Sequence, residues 1–285
     1  FGAPLVATSG NISGEPVLTE PADAEQRLAA VADGFLHHNR PIVRPADDAV
    51  ERIIAGAARP LRLGRGGAPR TLPLPFELPE PLLAVGGHTK STVTLAWGRQ
   101  AVISPHIGDL DSPRSREEFG AVIADLQRFF RITPRHVIRD RHPEYGSSRW
   151  AAEHARDIIT VGHHRAHASA LYGEHAGRNI WLVFTWDGVG LGEDGTLWGG
   201  EALLGRPGHW RRVAALRPFR LPGGEKAGRE PRRSALALLW EAGYEPGLEK
   251  AGDDLLRAAW ERGLNTPETG SAGRLFDAAA ALLGL

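Results

Sequence analysis

The run Ile180-Trp-Leu-Val-Phe-Thr-Trp186, followed at once by Asp187-Gly-Val-Gly-Leu-Gly192, constrains the fold more than any other part of the chain. A short, nearly continuous stretch of aromatic and β-branched residues bounded by a glycine turn suits a buried strand of an α/β sheet. In such sheets, ligands meet the protein where the strands end. Asp187 is therefore read as a carboxylate at the end of a buried strand, with Gly188, Gly190 and Gly192 in the turn that follows. Just upstream, Val161-Gly-His-His-Arg-Ala-His167 spaces His163 and His167 four apart, so a helix projects both imidazoles from one face. With 12 histidines in the chain, that spacing alone is equally consistent with a solvated helix face. Asp187 and its turn single this pair out. Two imidazoles and a carboxylate, with no thiolate, suit Fe(II), Zn or Mn.

The 285 residues allow about two domains, and 42% hydrophobic content is enough for real cores. No stretch approaches the ~18 apolar residues of a membrane span, and the first residues lack the order of a signal peptide. Thirty-four basic against 34 acidic residues give net charge zero, so no global field draws the chain to nucleic acid or an anionic membrane. Zero Cys excludes disulfides, thiolate metal sites and a cysteine nucleophile within these residues. Zero Met suggests part of a longer gene product, since a complete one begins with Met.

Along the chain, residues 4–7 read as a short strand entering the loop Thr8-Ser-Gly-Asn-Ile-Ser-Gly-Glu-Pro16, whose Thr8, Ser9 and Asn11 suit a phosphate or nucleotide. Residues 22–32 have helical periodicity, and 41–44 read as another strand. Arg62 and Arg65 stand in a glycine-rich loop where guanidinium groups can pair with phosphate oxygens, although their spacing equally suits an ordinary solvated loop. Residues 71–81, rich in Pro, read as a linker. Beyond it, strands at 82–85, 93–97 and 100–104 enclose a tight loop carrying Lys90 and a turn at Gly98-Arg99. A glycine-rich hairpin tipped by Lys is how actin-like and sugar-kinase-like folds hold phosphate. The pattern then predicts a helix at 114–130, a strand at 134–140 and a helix starting at 148.

Nine runs in the same order resemble the HypF family of hydrogenase-maturation carbamoyltransferases. They include Thr8-Ser-Gly-Asn11, Gly64-Arg-Gly-Gly-Ala-Pro69, Gly86-Gly-His-Thr-Lys90, Asp140-Arg-His-Pro-Glu-Tyr145, His163-His-Arg-Ala-His167 and the segment from Asp187 to Glu201. The resemblance implies a partial YrdC-like α+β domain at 1–70, the linker at 71–81 and an incomplete actin-like α/β domain at 82–285. It also implies a cytoplasmic enzyme that makes carbamoyl-adenylate from carbamoyl phosphate and ATP, with Mg for the ATP. The carbamoyl group then passes to the C-terminal cysteine of a HypE-like acceptor, for the cyanide ligand of [NiFe]-hydrogenase.

Residue by residue, Thr8, Ser9, Asn11, Arg62 and Arg65 fall on the adenylate side. Lys90, Gly188, Gly190 and Gly192 fall on a second nucleotide site, and His163, His167 and Asp187 on a divalent metal. The family often has a third histidine where this chain has Arg165. Parts of both modules lie outside these residues, so the stretch by itself is expected to be inactive. The alternatives are an O-carbamoyltransferase acting on a small-molecule hydroxyl, in which the two modules occur in the opposite order, and a non-enzymatic actin-like interaction module.

Overall fold

Polar, glycine-rich sequence at the start of the chain offers little to bury, and regular structure there is sparse. The computed structural model describes residues 2–175, 179–244 and 252–285. It divides into two compact units, residues 1–160 and 161–285. The first unit begins with one short helix, α1 (Pro21–Leu28), none of whose residues is buried. Residues 4–7 and 41–44, expected as strands, are not strands. Val6 is 99% exposed and Val43 81%, and an extended segment without a neighbour has no ladder in which to pair its backbone groups. β1 (Val50–Ile54) and β2 (Ala57–Arg62) then form an antiparallel hairpin. Ala55 and Gly56 turn it at positive φ, the backbone that a two-residue hairpin loop requires.

The main sheet of this unit is built from β3 (Arg70–Ala84), β4 (Thr94–Ile103), β5 (His136–Asp140) and β6 (Ile158–Val161), in the order β4-β3-β5-β6. Two helices accompany it, α2 (Pro113–Phe130) and α3 (Gly146–His154). The Pro-rich residues 71–81 are not a free linker. They form most of β3, paired with β4 at Thr71↔Val102, Leu72↔Ala101, Pro73↔Gln100 and Leu78↔Gly98. β5 joins β3 only at Leu82, Leu83 and Ala84, so the prolines occupy a strand with one open edge, where a missing N–H costs no ladder bond.

The turn expected at Gly98-Arg99 is likewise absorbed into a single strand, with register shifts in the pairing and Gly98 at φ 52°. Leu83 lies opposite Val137 in parallel register, so the strands of Val85 and Val137 share one sheet. Their apolar side chains meet the helical stripe Phe119, Val122, Ile123 and Leu126 in one core. The bounds of α2 follow from local chemistry. Ser112 accepts the Ser115 N–H at 3.0 Å, Pro113 opens the first turn, and Arg131 ends the helix in the left-handed conformation.

The second unit starts with α4 (His163–Glu174), followed by the hairpin of β7 (Trp181–Leu191) and β8 (Leu197–Gly205). β9 (Arg211–Ala215) pairs with β8, and β10 (Phe219–Arg220) precedes α5 (Pro231–Glu241) and α6 (Asp253–Glu261). β11 (Glu268–Thr269) lies between β10 and β8, and α7 (Ala272–Leu282) closes the unit. β7 departs from expectation in two ways. It alternates, with Val183 and Thr185 buried and Leu182, Phe184 and Trp186 exposed, so only one face is covered here. It also continues past Asp187 to Leu191, with a register irregularity between Trp186 and Gly190. Asp187 therefore lies within the strand, where the regular pairing breaks, rather than at its end.

Candidate metal centre

His163 is the first residue of α4 and His167 stands one turn later, so the helix period alone brings the two rings to one face. Their Nε2 atoms lie 3.3 Å apart. The irregular stretch of β7 presents the Asp187 carboxylate to both: Oδ2 is 3.0 Å from His163 Nε2 and 3.8 Å from His167 Nε2. The ligand atoms of the three residues all lie within 4.8 Å of one another. Nitrogen and oxygen ligands at ~2.0–2.1 Å from a tetrahedral ion stand roughly 3.3 Å apart. The observed edges bracket that value, so the residues fit a divalent cation of the N/O-preferring kind. Burial on its own would raise the Asp187 pKa. The hydrogen bond and charge of His163, the Gly188 N–H at 2.6 Å and the nearby His167 outweigh it, and the carboxyl titrates below its ordinary value.

The glycines of the turn have identifiable packing roles. A Cβ at Gly190 would come within 2.6 Å of His164 Cε1 and 2.9 Å of His163 Cδ2. One at Gly192 would fall 2.1 Å from the Trp198 indole nitrogen. Gly188 is approached from the far side by the N-terminus of α7, where Ser271 caps the helix and its hydroxyl contacts the Asp187 and Gly188 carbonyls at 2.8 and 2.7 Å. Gly190→Ala is accordingly expected to displace the His163 and His164 rings. It should cost about 1–3 kcal/mol by overpacking and weaken cation binding. A thermal melt and a Co(II) titration of the variant read the two effects, and a variant matching wild type in both contradicts the contact.

Two residues that sequence reasoning passed over complete the site. His164 is buried beneath the ligand pair, its Nε2 3.7 Å from Asp187 Oδ2 and 3.8 Å from Glu201 Oε2. Glu201, in β8, is also fully buried. Its Oε2 accepts the N–H groups of Gly199 and Gly200, each at 2.8 Å, and its Oε1 the Arg212 guanidinium at 3.3 Å. Burial raises its pKa, against the lowering from those backbone groups and Arg212. Asp194 holds Arg212 and the Trp198 N–H in turn, and Arg212 lies over the Trp198 ring. A charged residue set in the apolar run Leu197-Trp-Gly-Gly-Glu-Ala-Leu203 was the available signal.

The remaining candidates lie in the first unit. Lys90 sits at φ 49° in the β3–β4 loop, and its own N–H donates to Asp109 at 2.7 Å. With Arg62, Thr92 and His106, Lys90 lines a cavity of about 310 Å³. Arg65 lines a different one, next to Arg44 and Asp47, and donates to the Ala46 carbonyl at 3.3 Å. Ser9 donates to Asn11, whose amide donates to the carbonyls of Ile12 and Glu15 at 3.0 Å, so these side chains brace their own loop. Thr8 is exposed. Neither cavity gathers Thr8, Ser9 and Asn11 with the two arginines.

Comparison with known proteins accounts for this arrangement. Residues 1–64 match a YrdC-type family profile described as "Telomere recombination", residues 77–174 the HypF Kae1-like domain, and residues 183–285 the second subdomain of the carbamoyltransferase Kae1-like domain. Carbamoyltransferase HypF of Synechocystis sp. is 42% identical over 99% of this chain and 40% of its own length. The chain belongs to the HypF family. HypF of Rhodobacter capsulatus is 42% identical over 100% of the chain and 40% of its own, and the probable HypF of Methanocaldococcus jannaschii 32% over 98% and 38%. Among solved structures, full-length HypF in the phosphate- and nucleotide-bound form superposes with TM-score 0.91 at 36% identity, over 97% of this chain and 38% of that one. T. kodakarensis HypF does so with TM-score 0.88 at 30%, over 98% and 39%. The chain thus spans about two fifths of the length of the HypF relatives it matches. Its fold class is YrdC-like residues followed by an actin-like, Kae1-like α/β region. Among the described residues, no helix is long and apolar enough to cross a membrane.

Proposed function

We propose that this chain works as part of a carbamoyltransferase of hydrogenase maturation, with the transfer step at His163, His167 and Asp187. The observation that carries the reading is the convergence of these three residues within 4.8 Å, in a chain 42% identical along its length to HypF carbamoyltransferases. A divalent cation held by the three would supply a Lewis acid for the charge on a phosphate or carbamoyl oxygen. Asp187, with its low pKa, is an anion at neutral pH and stands ready as a ligand. Gly190 and Gly192 keep the strand close enough for the imidazoles and the Trp198 indole to pack against it.

The division of labour proposed here places carbamoyl-adenylate formation, from carbamoyl phosphate and ATP with Mg, at residues 1–70. Transfer to the terminal cysteine of a HypE-like protein belongs to residues from 82 onward. Arg62 and Lys90, two cations on one cavity, support an anionic ligand in the first unit. YrdC-type residues preceding Kae1-like ones favour this reading over a small-molecule O-carbamoyltransferase.

The test uses the intact enzyme and follows two reactions: carbamoyl-phosphate-dependent ATP–pyrophosphate exchange, and transfer of labelled carbamoyl to a peptide ending in cysteine. Both are expected. Exchange without transfer to any thiol, at saturating divalent metal, contradicts the acceptor. Absence of both contradicts the reading as a whole and leaves the interaction-module alternative.

A further inference from the structure

Behind the three candidate ligands lies a second layer of buried, chemically unlike groups that the proposed transfer step does not use. His164 follows the first ligand in α4 yet faces inward, 1% exposed, and its Cε1 occupies the space that a side chain at position 190 would need. Its Nε2 stands between two carboxylates, 3.7 Å from Asp187 Oδ2 and 3.8 Å from Glu201 Oε2. Glu201 is 1% exposed as well, and a carboxylate buried that deeply is costly unless its oxygens are satisfied. Here they are satisfied and fixed. Two backbone N–H groups hold Oε2 at 2.8 Å, Arg212 holds Oε1, and Asp194 holds Arg212. Among the described residues, the side-chain partners of Glu201 other than His164 are on β8 and β9, so the carboxylate is a rigid post facing one imidazole. That imidazole in turn faces the oxygen of Asp187 that meets both His163 and His167.

We infer that Glu201 and His164 are positioning residues for the metal site: Glu201 orients the His164 ring, and His164 holds the Asp187 carboxylate in the attitude that converges with His163 and His167. The inference rests on the reading of those three residues as ligands. Outer groups that orient ligating side chains commonly alter metal affinity 10–100-fold when removed. A packing role alone, by contrast, would appear as lost stability of the metal-free protein. Glu201→Gln removes the negative charge facing His164 while its amide oxygen still accepts the Gly199 and Gly200 N–H groups, at the cost of the Arg212 contact, which an NH2 group cannot accept. His164→Gln removes the ring and keeps a polar group of similar length.

The experiment is Co(II) titration of the metal-free intact enzyme, read by the visible d–d bands, together with its thermal melt. Wild type is expected to bind Co(II) with bands of N/O coordination. Glu201→Gln and His164→Gln should each bind about 10-fold more weakly or worse while the metal-free protein still melts cooperatively, and the double variant should lose little more affinity than either single one, because the two act in series. Should Glu201→Gln not fold, His164→Gln carries the same test. A wild-type protein that takes up Co(II) while either folded single variant binds within twofold of it overturns this inference alone, as does a double variant whose loss equals the product of the single losses. A wild-type protein that takes up no Co(II) overturns the ligand reading and this inference together.

Discussion

Replacing His167 by Ala in the intact enzyme is expected to abolish carbamoyl transfer to a protein cysteine while leaving carbamoyl-phosphate-dependent ATP–pyrophosphate exchange near its wild-type rate. His167 is the most exposed of the three candidate ligands, with 54% of its side chain accessible, so its truncation leaves no buried cavity and should barely affect folding. It does remove one of the three ligand atoms that converge among the described residues. Outer-layer groups are worth 10–100-fold in metal affinity, so loss of a direct ligand should exceed about 100-fold, and transfer should fall with it. Asp187→Asn is expected to act the same way, since it removes the anion that both imidazoles face.

Arg65→Ala is the contrasting variant. Arg65 belongs to the region assigned to adenylate formation, and without adenylate nothing can be transferred, so both reactions should fall together. The two assays on the two variants therefore form a cross. If folded His167→Ala loses exchange along with transfer, the chemistry is not divided between two regions as proposed. If Arg65→Ala loses neither reaction, that arginine is one more solvated loop residue, the ordinary reading of its spacing.

The parts of this structure that the sequence made legible are those governed by neighbours a few residues apart. α2 could be read because its apolar residues recur at the helical period and Ser112-Pro113 starts it with a cap and a preset φ. His163 and His167 could be read because four residues is one turn. Features set by distant partners could not be read in this way. Residues 4–7 and 41–44 have strand-like composition, yet a strand exists only where another lies beside it. The prolines of 71–81 look like a linker because proline is poor in a ladder, whereas the open edge of β3 removes that objection. Glu201 is the clearest case on the functional side. Its chemical meaning lies in His164, 37 positions earlier, and Arg212, 11 later, and nothing in its own neighbourhood announces them. β7 shows the reverse error. Its nearly continuous apolar run suggested a buried strand, but Leu182, Phe184 and Trp186 are largely exposed among the described residues.

The largest stability effect is expected at Phe119. It is 1% exposed, packs edge-on against Trp150 at 5.8 Å between ring centroids, and lies in the core that α2 shares with β3, β4 and β5. Phe119→Ala removes a ring from the core it shares with Ile123 of α2 and with Leu83, Leu95 and Val137, which the sheet holds in place, so the space cannot fully close. The expected cost is about 3–5 kcal/mol: the lost transfer free energy of the ring plus the energy of the cavity it leaves. Phe129 provides a control with the same side chain on the same helix. It is 74% exposed and touches Phe130 edge-on, so Phe129→Ala should alter stability by no more than about 0.5 kcal/mol. Chemical denaturation of both variants compares burial at constant residue type and constant helix. Because Phe119 contacts none of the candidate ligands, folded Phe119→Ala should also keep wild-type Co(II) affinity. Since Ala is the better helix former, propensity cannot produce a loss at either position, and equal destabilisation by the two substitutions would mean that the buried stripe of α2 is not what holds the first unit's core.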